Sequence, residues 1–400
     1  MPRWLYVLLA ALPLALVAEA LRWPPLAIVV LAAVALIRLA GLIAIATEAL
    51  SEHVGSYIGG LLNATFGNAP ELIISFAALF AGLNSVVLAS IAGSIIGNSL
   101  FVLGMSMIFG GWRYRLQRFD SRASGQYASL LALAVVGLVI PSLVGTFGGG
   151  IHTGQDVPSA AQLHILSTVV AALLLLGYIA YLAHAVFRVR ADPSAVTDPQ
   201  PPRNQPDEED AANDRSPGAR GESSRSRSAE RKPARSTSRL PRWLQLGASP
   251  VAALIVLGIV TVLTAVMSEI LVGAIEPVAE QNHLSPFFIG LIVLPIVGNA
   301  AEHASAVTMA LRNRMDATMA ITAGSAIQVA LFVAPVLVIG SELVAHPLDF
   351  LFRPLELVIF ALTAGLYALV SLDGESTWLE GLQLMIFYLI VAAAAFVVPQ

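Results

Sequence analysis

The 400-residue chain predicts an all-α polytopic membrane protein of about eleven transmembrane helices: one orienting helix followed by two inverted five-helix repeats. Three observations carry this. Hydrophobic residues make up 57% of the chain and charged residues only 12%. Apolar runs long enough to span a bilayer recur from end to end. A pair of polar motifs repeats at one fixed offset. No water-soluble fold of this length covers its surface with so few charges, and the mean hydropathy of +0.78 agrees. Cysteine is absent, which excludes disulfides, thiolate metal sites and a cysteine nucleophile. Any metal site must be built from oxygen and imidazole. The one dense basic segment has a disordered composition, so nothing points to nucleic acid.

A spanning helix needs ~20 mostly apolar residues to cross ~30 Å of hydrocarbon. The eleven candidates are 4–20, 25–47, 55–80, 84–110, 126–146, 162–187, 249–273, 284–311, 317–340, 354–372 and 378–398. Trp23-Pro24-Pro25 ends the first. Four arginines (Arg113, Arg115, Arg118, Arg122) follow the fourth, Gly148-Gly149-Gly150 the fifth, and His346-Pro347 precedes the tenth. Arg3, the first apolar run and Ala18-Glu19-Ala20 look like a cleavable signal peptide. Pro13 and the glutamate in that motif argue instead for a retained signal anchor.

Orientation follows from Lys and Arg. With the N-terminus inside, the inner segments hold 19 of the 22, and the outer loops only Arg22 and Arg353. Residues 188–243 alone hold 12 Lys and Arg and 9 Asp and Glu. That stretch, with Asp207-Glu208-Glu209-Asp210 and an Arg/Ser tract, reads as a disordered cytoplasmic linker. The expected organisation is 1–24 as the first helix, 25–187 as the first repeat, 188–243 as the linker and 244–400 as the second repeat.

The two halves are alike. Gly67-Asn68-Ala69-Pro70-Glu71 matches Gly298-Asn299-Ala300-Ala301-Glu302, Gly93-Ser94-Ile95-Ile96 matches Gly324-Ser325-Ala326-Ile327, and Leu100-Phe101-Val102 matches Leu331-Phe332-Val333. All three share the offset 231, and 12 of 36 positions are identical across 67–102 and 298–333. Five spans per unit, an odd number, invert the second unit relative to the first. Inverted repeats with polar, Gly- or Pro-broken helices at matching positions mark secondary transporters with a site near the midplane.

Glu71 and Glu302 fall inside spans, where an ionised carboxylate is costly unless paired, protonated or bound to a cation. Asn68 and Asn299 lie three residues earlier on the same helical face, and Ser75 and Ser305 extend those faces. Glycine and Pro70 weaken the backbone ladder and free carbonyls. The resulting set, Asn68, Glu71, Asn299 and Glu302, is all oxygen and suits a hard cation, Ca²⁺ before Mg²⁺. The competing reading is interhelical hydrogen bonding that holds a bundle together. Ser94 with Asn98, and Ser325 with Gln328, each share a face and can line the same cavity or act as polar glue. His303 points to a different face from Glu302 and is either a proton carrier or a neutral hydrogen-bonded ring. Glu48 and Glu269, on the first helix of each repeat, complete the candidates for a transport or proton path.

The run Leu61-Leu62-Asn63-Ala64-Thr65-Phe66-Gly67-Asn68-Ala69-Pro70-Glu71-Leu72-Ile73 resembles the first signature repeat of proton-coupled calcium antiporters of the calcium/cation antiporter superfamily. Leu294-Pro295-Ile296-Val297-Gly298-Asn299-Ala300-Ala301-Glu302-His303 resembles the second. The resemblance implies that Glu71 and Glu302 bind cation and protons alternately, that Asn68 and Asn299 assist, and that Gln328 lies near the site. The chain departs from the pattern in lacking a long acidic helix between the halves, and in carrying Gly97 where the second half has Gln328. The expectation is a Ca²⁺/H⁺ antiporter of a prokaryotic inner membrane, with Ca²⁺ and H⁺ as substrates and no permanently bound cofactor. The short tails and 21 Arg against one Lys suggest the prokaryotic setting. Na⁺(K⁺)/H⁺ or Mn²⁺/H⁺ exchange on the same fold are the alternatives, and a channel is a weaker one. An intramembrane metalloenzyme would need a second histidine at helical spacing from Glu302-His303, which is missing.

Overall fold

A computed structural model of the chain describes residues 9–147, 158–191, 249–344 and 347–397. Helices dominate. They are α1 (Ala11–Ala20), α2 (Pro25–Phe66), α3 (Ala69–Phe80), α4 (Asn84–Ile96), α5 (Leu103–Tyr114), α6 (Ser121–Phe147) and α7 (Ala160–Ala191) in the first half. The second half holds α8 (Pro250–Gly273), α9 (Ile275–Asn282), α10 (Pro286–Phe288), α11 (Leu294–Gly298), α12 (Ala300–Leu311), α13 (Met315–Gln328), α14 (Ala334–Ser341), α15 (Pro354–Val370) and α16 (Trp378–Val397). π-helical turns at Gly97–Val102, Ile289–Val293 and Val329–Val333 join α4 to α5, α10 to α11 and α13 to α14.

Among the described residues, seven helices are long and apolar enough to cross a membrane. An eighth span is a pair, Pro286–Gly298 and Ala300–Leu311, bent by 63° at the break, and α1, α3 and α15 are shorter apolar helices. Element starts repeat at the offset seen in the sequence: Ala69 and Ala300, Asn84 and Met315, Leu103 and Ala334 each lie 231 residues apart.

Three expectations need correction. The break expected between residues 47 and 55 is not a loop, because α2 is helical throughout Pro25–Phe66. The chain still turns back there. The Ser51 hydroxyl donates to the Gly59 carbonyl at 3.0 Å, although eight residues of straight helix rise ~12 Å. Glu48, Ser51, Glu52 and His53 are polar without being helix breakers, so a sharp bend replaces a loop. The linker expected at 188–243 begins later: α7 runs to Ala191, and the remainder lies outside the described residues. The α5–α6 and α15–α16 connections, left as breaks between spans, pair as a two-stranded antiparallel sheet, β1 (Leu116–Arg118) with β2 (Glu375–Thr377). Beside it the Gln117 amide donates to the Ala310 carbonyl at 2.8 Å, and Asp316 accepts from the Asp120 N–H at 2.7 Å. This strap fixes the α12–α13 turn.

The core is built by helices crossing closely. The bent helix α2 packs along α8, α5 along α16, and α4 across the π-turn at Ile289–Val293. At that last crossing, a Cβ on Gly93 would run into the Leu291 carbonyl and sit 2.6 Å from Pro295 Cγ. Small residues let helix backbones approach inside a membrane, where burial from water gives little drive to associate. This contact seats the α10–α11 half-helix against α4 and therefore positions Asn299. Gly93→Ala is expected to cost about 1–3 kcal/mol as overpacking. It should lower the melting temperature in detergent, while Gly177→Ala, whose Cβ would meet nothing within 4 Å, leaves it at or above the wild-type value.

Candidate cation-binding site

The two signature motifs shape the same local structure twice. Asn68 has φ −96° and ψ 12°, and Asn299 has φ −94° and ψ 14°. At that ψ one helix ends and another begins, so each asparagine is the cap of a half-helix starting inside the bundle. Proline in the first turn of α3 costs nothing at its own position, since first-turn N–H groups have no helical partner. It also denies the Phe66 carbonyl the donor it would have in an unbroken helix. The Asn68 carbonyl accepts from the Leu72 N–H at 3.1 Å and the Asn299 carbonyl from the His303 N–H at 3.0 Å. Glu71 and Glu302 thus occupy matching places in the first turns of α3 and α12. The positive end of a helix dipole stabilises a carboxylate there, which partly offsets the loss of water.

Side-chain amides and hydroxyls knit the halves together around these caps. The Asn68 amide donates to Gln328 Oε1 at 2.6 Å. The Asn98 amide donates to Asn299 Oδ1 at 3.0 Å and to Ser325 Oγ at 2.9 Å. Ser325 Oγ donates to Asn299 Oδ1 at 3.1 Å. The Asn299 amide donates to Ser94 Oγ at 3.2 Å and to the Pro295 carbonyl at 3.1 Å. Asn68, Ser94, Asn98, Asn299 and Ser325 are buried.

The carboxylates are not equivalent. Glu71 is 7% exposed and lies against the opposite motif: a Cβ on Gly298 would be 3.3 Å from its Cγ and 3.7 Å from its Oε1. Glu71 Oε2 is buried and accepts no hydrogen bond among the described residues. Glu302 is half-buried. The contact with Gly298, four residues before Glu302, sets Glu71 beside the second motif. In a low dielectric, two such carboxylates hold both charges only with a cation between them.

The structure therefore brings together Asn68, Glu71, Ser94, Asn299, Ser325 and Gln328 from the sequence-derived set, with Glu302 on the first turn of the half-helix that Asn299 caps. It leaves three others elsewhere. His303 is buried with its ring edge-on to Phe101, centroids 5.9 Å apart, on the side of α12 facing the Gly97–Val102 turn. Glu48 is exposed on α2. Glu269 is exposed and lines a groove of about 760 Å³ with Ile73, Phe76 and Phe80. Those three residues form the face of α3 opposite Glu71 and Ser75, so the groove does not open onto the carboxylate. Sequence reasoning placed Asn98 near the site without its bond to Asn299. The available signal was its position one residue after Gly97, where the second half carries Gln328 and then Val329.

Residues 24–187 and 252–397 match the family described as sodium/calcium exchanger protein. A Ca(2+)/H(+) antiporter of Aphanothece halophytica is 38% identical over 98% of this chain and 97% of its own length. The Ca(2+)/H(+) antiporter ChaA of Bacillus subtilis is 37% identical over 99% of both. Among solved structures, native YfkE aligns with a TM-score of 0.73 and 34% identity, over 98% of this chain and all of that one. With one motif set in each half and a family match covering both halves, the chain belongs to the sodium/calcium exchanger protein family.

Proposed function

We propose that this protein exchanges Ca²⁺ for H⁺ across a prokaryotic inner membrane by alternating access, with Glu71 and Glu302 binding either the cation or protons. The observation that carries the reading is the matched pair of carboxylates in the first turns of two opposed half-helices, walled by amides and hydroxyls. The full-length relatives named as Ca(2+)/H(+) antiporters support the same substrates. Eleven spans follow if α2 counts as two limbs around its Ser51–Gly59 bend, with α3 completing the second limb. Spans 2–6 and 7–11 are then inverted five-helix repeats, with the N-terminus and the 188–243 tether on the cytoplasmic side. Arg312 and Arg314 mark the inner end of α12.

One site shared by two substrates couples their fluxes. Ca²⁺ needs both carboxylates ionised, and protons neutralise the same groups. The empty, doubly charged site crosses reluctantly because its charge is uncompensated in a low-dielectric setting. Two protons or one Ca²⁺ neutralise the pair, whereas a single Na⁺ leaves it negative. Mg²⁺ fits poorly because it demands short, near-octahedral bonds.

Glu302 is the more open of the two carboxylates. Below Glu302, the stripe Ala304, Ser305 and Thr308 on α12 is exposed and leads to Arg312. Beyond Glu71, its own face of α3 is closed, with Ser75, Ala78 and Leu79 buried; the matching Ala306 and Ala310 on α12 are buried as well, so the exposed Ala304, Ser305 and Thr308 form a flank beside Glu302. The reading is that water reaches Glu302 from the inner side while Glu71 is closed from the outer side.

Two measurements test this. In inverted vesicles under an imposed pH gradient, Glu71→Gln and Glu302→Gln should each abolish Ca²⁺ uptake at normal expression, since an amide mimics the protonated acid but cannot ionise. Wild-type uptake should exceed Na⁺-driven proton movement at equal low concentration. Near-normal exchange by either mutant would rule out the shared site, and Na⁺ driving protons as well as Ca²⁺ would move the protein to a monovalent-cation role. The absence of native cysteine allows the access reading to be checked with single-cysteine variants. Ser305→Cys should react with a membrane-impermeant maleimide from the inner side only, and Ser75→Cys from neither side until the protein is denatured. Labelling of Ser305→Cys from the outer side would contradict the assigned direction.

A further inference from the structure

The two halves carry a matching pair of straps, one at each end of the bundle. The connection 110–122 of the first half corresponds to 341–353 of the second at the same offset of 231. The inner one is the β1–β2 strap, which holds the α12–α13 turn through Gln117. Its counterpart is drawn in by serine hydroxyls. The Leu348 N–H donates to Ser341 Oγ at 2.7 Å, and the Phe350 N–H to Ser167 Oγ at 3.1 Å. Ser142 Oγ donates to the Phe350 carbonyl at 2.7 Å and accepts from the Phe352 N–H at 2.9 Å. Leu348, Phe350 and Phe352 are buried. The Asn84 amide donates to the Pro347 carbonyl at 3.3 Å. This second strap therefore holds the α3–α4 turn, at the far end of the half-helix that carries Glu71.

Each strap is pinned across the halves by an ionic contact at the matching position, with unlike chemistry. In the inner strap, Arg118 Nε lies 3.4 Å from Glu375 Oε1. The counterpart of Arg118 is Asp349, whose Oδ1 lies 2.8 Å from Nδ1 of His164 on α7. The other ring nitrogen, Nε2, lies 3.1 Å from Glu342 Oε1, to which Thr168 Oγ1 also donates at 3.4 Å. A carboxylate only accepts, and a neutral imidazole has a single N–H. The ring satisfies both carboxylates only as imidazolium. Losing the proton turns a nitrogen lone pair toward a carboxylate oxygen, and one contact goes. The guanidinium at the matching inner position stays charged throughout. Among the described residues, no further ionisable group faces the ring. Helix α7 packs on α14, α6 and the π-turn Val329–Val333. Neither α14, nor that turn, nor residues 140–147 of α6 include an ionisable side chain. Arg353 lies over the Phe287 ring at 4.6 Å, and His346 lies outside the described residues. The His164 side chain is 28% exposed and that of Asp349 22%, so water reaches the cluster.

We propose that His164, Glu342 and Asp349 form a pH-operated clasp on the outer end of the bundle, shut while the ring is protonated and released as the outer medium turns alkaline. The sign follows from the hydrogens. Both contacts exist on the acid side, and one is lost as pH rises through the imidazole titration. Release loosens residues 347–353 and, through Asn84, the α3–α4 turn. The closed end beyond Glu71 thus responds to outer pH through a group that binds no transported ion. The inner strap, with Arg118 at the matching position, has no such dependence. The word outer rests on the topology proposed above, and the clasp itself does not.

The test is hydrogen exchange, read by mass spectrometry, on the full-length protein in detergent at about pH 6 and about pH 8.5, either side of the ordinary imidazole value. Protection of residues 347–353 is compared with that of the inner strap, 116–118 and 375–377, in the same molecule. Both are corrected for the intrinsic pH dependence of exchange. Wild-type 347–353 should lose protection about 3- to 10-fold at the higher pH, the worth of one part-exposed charge-assisted bond, while the inner strap stays constant. His164→Gln should show the lower protection at both pH values. Should His164→Gln not fold, Asp349→Asn removes a partner instead and should flatten the profile likewise. Equal wild-type protection of 347–353 at the two pH values would overturn the proposal, as would an unaltered pH dependence in either variant. Leu343, 89% exposed beside Glu342, reports the side. Leu343→Cys in vesicles should react with an impermeant maleimide from the outer side. Reaction from the inner side alone would overturn the topology and leave the clasp to the exchange data.

Discussion

Two carboxylates held inside a bundle of apolar helices are the constraint on which the rest depends. An uncompensated charge at that depth is costly, and a second of the same sign beside it makes the cost greater. The chain answers by breaking a helix in each half immediately before the glutamate. Each carboxylate then sits in the first turn of a new helix, at the positive end of its dipole. Breaking a helix creates unbonded backbone groups, which need protein partners inside a membrane. The Asn299 amide supplies one, to the Pro295 carbonyl, while Ser94, Ser325 and Gln328 hold the two asparagine side chains in place. The close crossing at Gly93 in turn holds the half-helix carrying Pro295 where the network needs it.

Symmetry of sequence and asymmetry of structure coexist at this site. The motifs are matched to the residue, yet Glu71 is closed in against Gly298 while Glu302 is half-open. The faces beyond the two carboxylates are alike, Ser75 and Leu79 on α3 and the matching Ala306 and Ala310 on α12 all being buried, so the asymmetry lies at the glutamates themselves and on the exposed α12 flank of Ala304, Ser305 and Thr308. Under the proposed alternating-access mechanism, exchanging the roles of the two motifs exchanges which carboxylate is the more open. The strap formed by β1, β2 and Gln117 holds the α12–α13 turn on the side where Glu302 is open.

Much of this was legible in the sequence because its causes are local. Gly-Asn stands at both helix breaks, before Ala-Pro-Glu and Ala-Ala-Glu, and the fixed offset of 231 announces that the motif occurs twice. Ser94, Ser325 and Gln328 were traceable as polar residues sharing helical faces. The remainder depends on packing. The bend at Ser51–Gly59 has no proline to signal it. The β1–β2 pairing joins segments more than 250 residues apart. Hydropathy shows that Glu269 lies within a span, yet only the docking of α8 on α3 decides that it faces a groove behind the site. The bonds joining Asn98, Asn299 and Ser325 depend on how the Gly97–Val102 turn meets the break at Asn299, and no single segment carries that.

The central claim is that Ca²⁺ and protons occupy the same two carboxylates, and proton release on binding tests it most directly. Calorimetric titration of the purified protein with Ca²⁺, repeated in buffers of different ionisation enthalpy, counts the protons displaced. At a pH where both groups are protonated, the account predicts about two protons released per Ca²⁺ bound, because a shared pair must be emptied before the cation enters. Tight Ca²⁺ binding with no proton release at any pH would contradict it.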